Sequence, residues 1–276
     1  MNKETKFKAT RWVIFVLVAI AIVIPVIIHK QIKLPDTSSR VVKDIYEKIE
    51  SLPEKSPLII SVDFDPSSDE ELRPMVKALL RHAFRKNLRV IGMTIWDASA
   101  SGTLIGVFNE MGKEAGKQYG VDYAIMPFNP GGPSVLLILS QDIFEVYPKD
   151  YKDNENNKLT VFNGIKSLKD IKFVMDIAAG TTIDSWIIFG EEKGKMPLGA
   201  GCTAVMATEY YPYLQSKQLV GLMGGLSAAA QYEVLINHKD TATESMKPQT
   251  VVHALIILLI VIGNIIYFVS LKKKKI

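Results

Sequence analysis

The chain has 276 residues, of which 48% are hydrophobic and 22% are charged, and its mean hydropathy is +0.15. A soluble domain of ordinary composition rarely has a positive value, so the apolar excess predicts membrane segments. The formal net charge is +4. Four basic residues and one Glu precede residue 12, and four Lys follow residue 271, which leaves 25 Lys and Arg against 28 Asp and Glu between them. A nucleic-acid-binding domain would carry a basic field, so we expect no nucleic-acid partner.

The first apolar run covers residues 12–28 and contains no charged side chain. A helix needs about 20 residues to cross the hydrocarbon core. We therefore predict a transmembrane helix over 12–30, with Arg11 and Lys30 as snorkelling flanks and residues 1–11 as a tail. A cleaved signal peptide is the alternative, but no small-x-small cleavage site follows the run, which favours an uncleaved signal anchor.

The second apolar run covers residues 251–271 and is followed by a basic tail, 272–276, that begins with four lysines. Its length predicts a second transmembrane helix. Basic flanks stay in the cytoplasm, so we expect both termini inside and residues 31–250 outside. The lipid bilayer is then an expected partner, and the tail lysines would contact anionic headgroups.

The region between the two runs has the pattern of an α/β protein. Residues 31–56 are predicted as a linker and lead-in helix, 57–237 as one soluble domain, and 238–250 as a polar linker. Short apolar runs predict about five strands, which alternate with helical patterns and so indicate a Rossmann-like three-layer domain with a mostly parallel sheet. The predicted strands are 57–65, 88–96, 121–129, 171–179 and 196–205.

Two details belong to the predicted helices. Pro74 fits the helix after the first strand only if it lies in the first turn. The end of the domain, residues 209–236, is predicted as one or two helices.

Polar residues and glycines gather where the predicted strands end. Ligands of open α/β sheets bind beyond the carboxyl ends of the strands. A crevice for a small polar ligand is therefore one hypothesis, and it needs no cofactor. The competing hypothesis is structural, because Asp63, Asp65 and Asp97 could cap the following helices. The candidate ligand-binding residues are Asp63, Asp65, Asp97, Asn129, Gly131, Gly132, Asp176 and Thr181.

A third hypothesis is a Mg²⁺-dependent phosphoester hydrolase. The Asp63-x-Asp65 pair at a strand end, with Thr94 on the next strand, resembles the first two motifs of haloacid-dehalogenase-type phosphatases. This resemblance implies Asp63 and Asp65 as catalytic residues, with Asp176 completing the metal ligands. A late acidic pair is missing, since Asp176 stands alone. We therefore favour a non-enzymatic function that requires no metal.

The single cysteine, Cys202, excludes an intramolecular disulfide and a thiolate metal cluster. It lies in an apolar stretch and is predicted as a packed core residue.

The segment 210–233 is rich in small residues. Gly221, Gly225 and Ala229 are spaced four apart, and such a stripe on a helix lets another helix approach closely. The stripe predicts either self-association or tight packing on the domain's own sheet. Together with the preceding GAGCTAVM (199–206), the segment resembles uncharacterised prokaryotic membrane-anchored proteins that share this span–domain–span layout. This resemblance brings no known activity.

These patterns together predict a membrane-tethered extracytoplasmic domain that binds a ligand or partner within a membrane assembly. The two tails are too short to signal by themselves, so we expect other membrane subunits, or a second copy of the chain, as partners. Gly263 and Asn264 in the second apolar run suit such helix packing.

Overall fold

The computed structural model describes residues 3–27, 37–96, 98–191, 194 and 196–274. Contacts divide the chain into two units. One consists of Met1–Pro35 together with Thr243–Ile276, and the other is Asp36–Ala242. The first unit brings together the two ends of the chain, and the second contains the α/β domain.

The described part of the α/β domain contains a parallel sheet of six strands in the order β3-β2-β1-β4-β5-β6. This confirms the predicted α/β fold with its parallel sheet. The strands are β1 (Pro57–Asp63), β2 (Arg89–Met93), β3 (Tyr123–Ile125), β4 (Phe173–Ala178), β5 (Leu198–Cys202) and β6 (Leu222–Gly224).

Helices connect the strands and extend beyond both ends of the domain. They are α1 (Lys3–Ile27), α2 (Arg40–Glu50), α3 (Asp69–Arg85), α4 (Ala100–Glu114), α5 (Pro133–Leu139), α6 (Ile143–Val146), α7 (Thr182–Ser185), α8 (Ala207–Gln215), α9 (Gly225–Leu235) and α10 (Thr241–Lys274). A π-helical turn, Trp186–Glu191, continues α7. Short 3₁₀ turns are Pro66–Ser68, Asn156–Lys158, Thr160–Phe162 and Leu168–Asp170.

The sheet is buried on both faces, which explains why its strands appear in the sequence as continuous apolar runs. Every residue of β1 and β4 is buried. On one face, α4 lies so close to β2 that a Cβ at Gly92 would fall 2.6 Å from the Phe108 ring. The other face contributes Ile59 and Val174 to a core that includes Trp186. Alternate residues of each strand therefore enter different cores.

Residues 209–236 contain two helices, α8 and α9, in agreement with the prediction of one or two, but the prediction missed a strand between them. Leu222–Gly224 forms β6, a short edge strand between α8 and α9. Gly225 then starts α9 with φ of +69°, a backbone conformation that favours glycine. Because the helix begins at Gly225, Gly221 lies outside it and does not share a helical face with Gly225 and Ala229.

Gly221 has a packing role within the domain. A Cβ at this position would lie 2.4 Å from the Val41 carbonyl oxygen and 2.7 Å from Ile45, both in α2. Ala229 is fully buried in α9. These contacts favour the interpretation that the small residues serve tight packing of the domain on itself.

Pro74 is not in the first turn of α3, so that prediction is wrong. The helix begins at Asp69, which places Pro74 in its second turn. The 3₁₀ turn Pro66–Ser68, capped by Asp65, leads directly into the helix.

One helix is long and apolar enough to cross a membrane by length and composition among the described residues. It is the stretch Thr241–Tyr267 within α10, none of whose apolar window is buried. The predicted polar linker 238–250 is therefore largely the first part of this helix. The apolar stretch of α1, Arg11–Pro25, is shorter, so the structure supports one candidate span where we predicted two.

Candidate functional site

The strand order places β1 and β4 at the point where the sheet's winding reverses. The chain runs outwards from β1 to β2 and β3, then returns across β1 to β4 and continues to β5 and β6. In open α/β sheets this topological switch point is where the ligand crevice forms. Ser61 pairs with Asp176 across these two strands. Asp63, two residues after Ser61, therefore lies on the same face as Asp176.

Asp63 is buried and accepts four hydrogen bonds. Its Oδ1 receives the Thr94 hydroxyl at 2.9 Å and the backbone N–H groups of Ile95 and Trp96 at 2.7 and 3.0 Å. The Ser61 hydroxyl donates to Oδ2. Four converging donors suit a carboxylate, which accepts at both oxygens. Asp63 therefore joins the end of β1 to the loop after β2 and does not cap α3.

Asp176 is fully buried on β4 and has one satisfied oxygen. Thr182, at the start of α7, donates its hydroxyl to Oδ2 at 2.9 Å. Burial raises the pKa of Asp176 well above its usual value, and the nearby Asp63 carboxylate raises it further. Two ionised carboxylates on the same face of neighbouring strands repel each other, which favours a proton on Asp176.

Two buried polar atoms in this region have no hydrogen-bond partner among the described residues. One is Asp176 Oδ1 and the other is the hydroxyl oxygen of Tyr147, the residue that follows α6 in the chain. Tyr147 is 2% exposed. Burial raises its pKa, and the charge of Asp63 adds to the rise. We call the group formed by Ser61, Asp63, Thr94, Tyr147, Asp176 and Thr182 the switch-point cluster.

The surroundings of the switch-point cluster are acidic and aromatic. Asp184 accepts hydrogen bonds from Tyr210 and Tyr213, at 3.4 and 3.2 Å. After burial, the charges of Asp184 and Asp176 raise the pKa of Tyr210, with Cys202 also contributing. The charge of Asp184 also adds to the raised pKa of Asp176. The field at this edge of the sheet is therefore negative.

Trp96 connects the cluster to the surface. Its backbone N–H donates to Asp63, while the residue as a whole is 39% exposed. The ring lies against Gly180 so closely that a Cβ there would fall 2.5 Å from two ring carbons. The loop after β2, which binds Asp63, therefore contacts the loop after β4 directly.

Some predicted site residues lie elsewhere or act only locally. Asp65 is outside the cluster and caps the Pro66–Ser68 turn, since its side chain accepts from Ser67 N at 2.8 Å. Asn129 accepts from Gly131 N at 3.0 Å within the loop after β3. Gly132, with φ of +55°, leads from that loop into α5. Asp97 lies outside the described residues.

Sequence reasoning missed residues that the cluster uses. It selected Thr181, but the neighbouring Thr182 makes the bond to Asp176. Ser61 could have been found, because it precedes Asp63 by two residues and strand side chains alternate. Tyr147 gave no signal, since it comes from the long excursion between β3 and β4.

The carboxyl residues of the magnesium hypothesis are not arranged as a metal site. Among the residues that the structure describes, no group of three or more His, Cys, Asp or Glu side chains could hold a metal ion. Asp65 is occupied by its cap, and both oxygens of Asp63 are already bonded. The structure therefore does not bring Asp63, Asp65 and Asp176 together as ligands.

Cys202 is a buried free thiol, as predicted from its apolar surroundings. Burial raises its pKa to about 12, and the charges of Glu71, Asp176 and Glu209 contribute in the same direction. A thiol with this pKa is not a nucleophile at neutral pH.

Comparisons with known proteins suggest no family or function for the chain. No protein-family model matches the chain, and a search of curated proteins finds no significant match.

Proposed function

We propose that the chain is a membrane-tethered, extracytoplasmic α/β domain that binds a small polar ligand and acts as the binding component of a membrane assembly. The observation that carries this proposal is the pair of unpartnered buried polar atoms, Asp176 Oδ1 and the Tyr147 hydroxyl. Leaving a buried polar group without a hydrogen bond costs about 1 to 3 kcal/mol. A domain that retains two such atoms at its switch point carries a cost that a bound ligand would offset.

The nature of the bonded groups favours binding over catalysis. Asp63 is held by four donors and Asp65 by its cap, so neither carboxylate is free to attack a substrate. The buried thiol of Cys202 is also unsuited to this task. What the cluster does offer is a fixed set of donors and acceptors, which is the basis of ligand recognition.

The membrane tether is supported by both ends of the chain. Thr241–Tyr267 can span a bilayer by length and composition. The shorter apolar helix near the N-terminus belongs to the same compact unit. Both apolar helices have basic residues on their terminal sides, which is typical of cytoplasmic flanks. Two crossings with this orientation would place the α/β domain outside the cytoplasm.

Helix α9 holds both chain segments that lead out of the domain. On the N-terminal side, Gln231 accepts the Ser39 N–H at 2.8 Å. On the C-terminal side, the Glu233 carboxylate accepts the N–H groups of Asp240 and Ala242, at 2.8 and 2.9 Å. A conformational change at the sheet edge next to α9 would therefore affect both chain segments that lead out of the domain.

A partner within the membrane would receive such a change. On α10, a Cβ at Gly263 would meet no atom within 4 Å. The neighbouring Asn264 donates its side-chain amide to the Ile260 carbonyl oxygen at 2.9 Å. A small residue beside a polar one suits close packing against another transmembrane helix. Another membrane subunit or a second copy of the chain could supply that helix.

A ligand screen tests the binding function. The full chain is purified in detergent, and its thermal unfolding midpoint is measured with a library of small polar compounds. A ligand that binds only the folded domain raises the midpoint. We expect at least one compound whose effect is lost in Asp176→Asn and retained in Asp65→Asn. The proposal is contradicted if no effect depends on Asp176.

An accessibility experiment tests the topology. Protease added to intact cells should cleave the exposed loop 149–158 while tags at both termini stay protected. Accessible terminal tags with a protected middle region would reverse the proposed orientation.

A further inference from the structure

The exposed apolar side chains of the α/β domain are concentrated after the carboxyl ends of its strands. Single exposed hydrophobic residues are normal on a protein surface, but a concentration of them marks an interaction site. Among the described residues of this domain, every exposed large hydrophobic side chain lies in a loop or helix that follows β2, β3, β4 or β5. We call this set the carboxyl-edge surface, and it consists of Trp96, Leu137, Ile138, Ile188, Val205 and Tyr211.

Contacts between neighbouring loops hold the carboxyl-edge surface in place. The loop of Trp96 contacts the loop after β4, as described above. Asp184 in α7 accepts a hydrogen bond from Tyr210 in α8 at 3.4 Å. Glu71 in α3 accepts the N–H of Ala204, in the loop after β5, at 2.8 Å. A surface whose loops are already connected loses little conformational freedom when a partner binds.

Two adjoining elements of this surface are apolar on both sides. Helix α5 and the π-helical turn after α7 place Leu136 and Ile187 in the same hydrophobic core. Their outer sides expose Leu137 and Ile138 from α5 and Ile188 from the turn. A helix that faces solvent normally has a polar outer side, and π-helical turns occur frequently at functional sites. The outer sides of these elements are therefore suited to contact with another molecule.

The charges around the carboxyl-edge surface are acidic. Glu70, Glu145 and Glu209 are exposed there. Helix dipoles favour acidic residues in the first turns of helices, but they do not explain the absence of basic residues from whole segments. The segments that follow β1 to β5 and contain no Lys, Arg or His are 64–72, 94–112, 126–148, 179–191 and 203–216. An apolar surface with an acidic rim results.

The chain's own connections leave this edge of the sheet free. Helix α9 begins at the edge, since a Cβ at Gly225 would lie 2.7 Å from the Ala204 Cβ. The N-terminal connection is held by Gln231, which accepts the Ser39 N–H. This point is six residues further along α9, or about 9 Å from its start. The C-terminal connection is held further still, by Glu233.

A second copy of the domain does not complement the carboxyl-edge surface. Two such surfaces brought together would place acidic rims against each other. The opposite end of the sheet is basic, but no large hydrophobic side chain is exposed there among the described residues. It would cover the apolar residues with ammonium groups. The exposed lysines that precede strands at that end are Lys55, Lys166, Lys169, Lys172 and Lys217.

The geometry points to a docking site for a different protein, whose contact surface combines apolar side chains with a rim of lysine or arginine. Protein interfaces bury an apolar centre inside a polar rim, and complementary charges at the rim guide association. An anionic lipid surface supplies the wrong charge for this edge. The partner is thus a neighbouring subunit of the assembly. This inference goes beyond the proposed ligand-binding function and does not depend on a ligand.

The experiment uses the full chain in nanodiscs of zwitterionic lipid and a synthetic probe. The probe is a fluorescent amphipathic helical peptide of lysine and leucine. One control peptide has glutamate in place of lysine, and another has glutamine in place of leucine. Fluorescence anisotropy measures binding, and empty nanodiscs give the contribution of the lipid. We expect the lysine–leucine peptide alone to bind the protein, with an affinity that decreases as salt is added.

Variants locate the bound peptide. Ile188→Ser combined with Val205→Ser removes exposed apolar contacts, so we expect binding weaker by about tenfold or more. Glu209→Lys should also weaken binding, because it reverses a charge at the rim. Glu54→Lys is its matched control, since Glu54 is exposed before β1 and the change in net charge is the same. The thermal midpoint of each variant should remain that of the wild type, because these side chains are on the surface.

Three results would overturn the docking site. The first is no binding of the lysine–leucine peptide beyond that to empty nanodiscs. The second is equal weakening by Glu209→Lys and Glu54→Lys, or unchanged binding to the Ile188 and Val205 double variant. The third is a chain dimer, seen by mass measurement of the nanodisc complex, that the double variant abolishes, since the occupant would then be a second copy. The compound screen for an effect that depends on Asp176 decides the ligand-binding function separately.

Discussion

The domain contains two buried polar clusters that differ in how completely they are hydrogen-bonded. In the first, the histidine cluster, His82 binds the Tyr232 hydroxyl at 2.7 Å and Glu50 at 3.3 Å, and Tyr46 stacks on its ring. In the switch-point cluster, Asp176 Oδ1 and the Tyr147 hydroxyl have no partner among the described residues. The first cluster is complete and connects α2 to α3 and α9. The second is incomplete and lies where α/β sheets bind ligands. The hydrogen bonds of the histidine cluster hold three helices together, whereas the unpartnered atoms of the switch-point cluster mark the candidate site.

Loss of the Asp63 carboxylate should have the largest effect. Asp63→Ala leaves the Ser61 and Thr94 hydroxyls and two backbone N–H groups without their acceptor. Breaking a buried charged network of this kind costs about 3 to 5 kcal/mol. Urea unfolding followed by tryptophan fluorescence measures the change. Asp65→Ala, which removes an exposed cap, should cost about 1 kcal/mol. Equal effects in the two variants would contradict the central role of Asp63.

Protonation of His82 in the histidine cluster should destabilise the folded domain in acid. Burial lowers the pKa of His82 to about 4, with Arg85 and Lys86 acting in the same direction and Glu50 opposing it. His82 binds a proton at a higher pH in the unfolded chain than in the folded chain. Its contribution to the free energy of unfolding is therefore fully present above the ordinary histidine pKa. It decreases by up to about 3 kcal/mol as the pH falls towards 4. The pH dependence of unfolding in wild type and His82→Asn isolates this contribution, since other carboxylates affect both proteins equally. Identical pH profiles of the two proteins would show that His82 does not cause the loss of stability in acid.

The switch-point cluster should show the opposite pH dependence. The folded pKa of Asp176 is raised, so its contribution is most favourable in acid and becomes less so as the pH rises above the ordinary carboxyl value. Asp176→Asn removes this titration and mimics the protonated side chain. We expect the variant to be more stable than the wild type by about 1 to 3 kcal/mol at pH 8. The difference should disappear near pH 4. A variant that is less stable at pH 8 would mean that Asp176 is ionised in the folded domain.

Two tyrosines give the most direct contrast. Tyr147→Phe removes a buried hydroxyl that has no partner, whereas Tyr232→Phe removes one that binds His82. We expect the first change to stabilise the ligand-free domain by about 1 kcal/mol and the second to destabilise it by a similar amount. Chemical denaturation of both variants under the same conditions checks the signs. Changes of the same sign would remove the distinction between the clusters.

The docking of α2, which brings Glu50 to His82, depends on close packing at Gly221. Gly221→Ala introduces a Cβ against the Val41 carbonyl oxygen, and overpacking of this kind costs about 1 to 3 kcal/mol. Gly102→Ala is the control, because Gly102 lies in α4 with no atom within 4 Å of the new Cβ. There the change should stabilise by about 0.5 to 1 kcal/mol. Gly221→Ala behaving like the control would show that α2 can shift at little cost.

Part of the candidate site could be predicted from the sequence. Asp63 and Asp176 were expected at the carboxyl ends of their strands, since a short apolar run reveals a buried strand and its last residues reveal the edge. The helix-capping alternative for Asp63 was wrong, because its Thr94 partner lies 31 residues away in the loop after another strand. Thr181 was chosen in place of Thr182 because the sequence does not define the turn that starts α7. β6 was missed because three residues are too short for a strand pattern.

The sequence by itself determined the apolar run that could span a membrane, five buried strands, their alternation with helices, and the carboxylates at one edge of the sheet. These features follow from run length and local spacing, which depend only on neighbouring residues. The tertiary structure alone decided the strand order, and hence that β1 and β4 flank the switch point. It also decided which buried oxygens are satisfied, because their partners come from distant strands and loops. Whether a polar group has a partner depends on which side chains fold against it, and this cannot be read from its own segment.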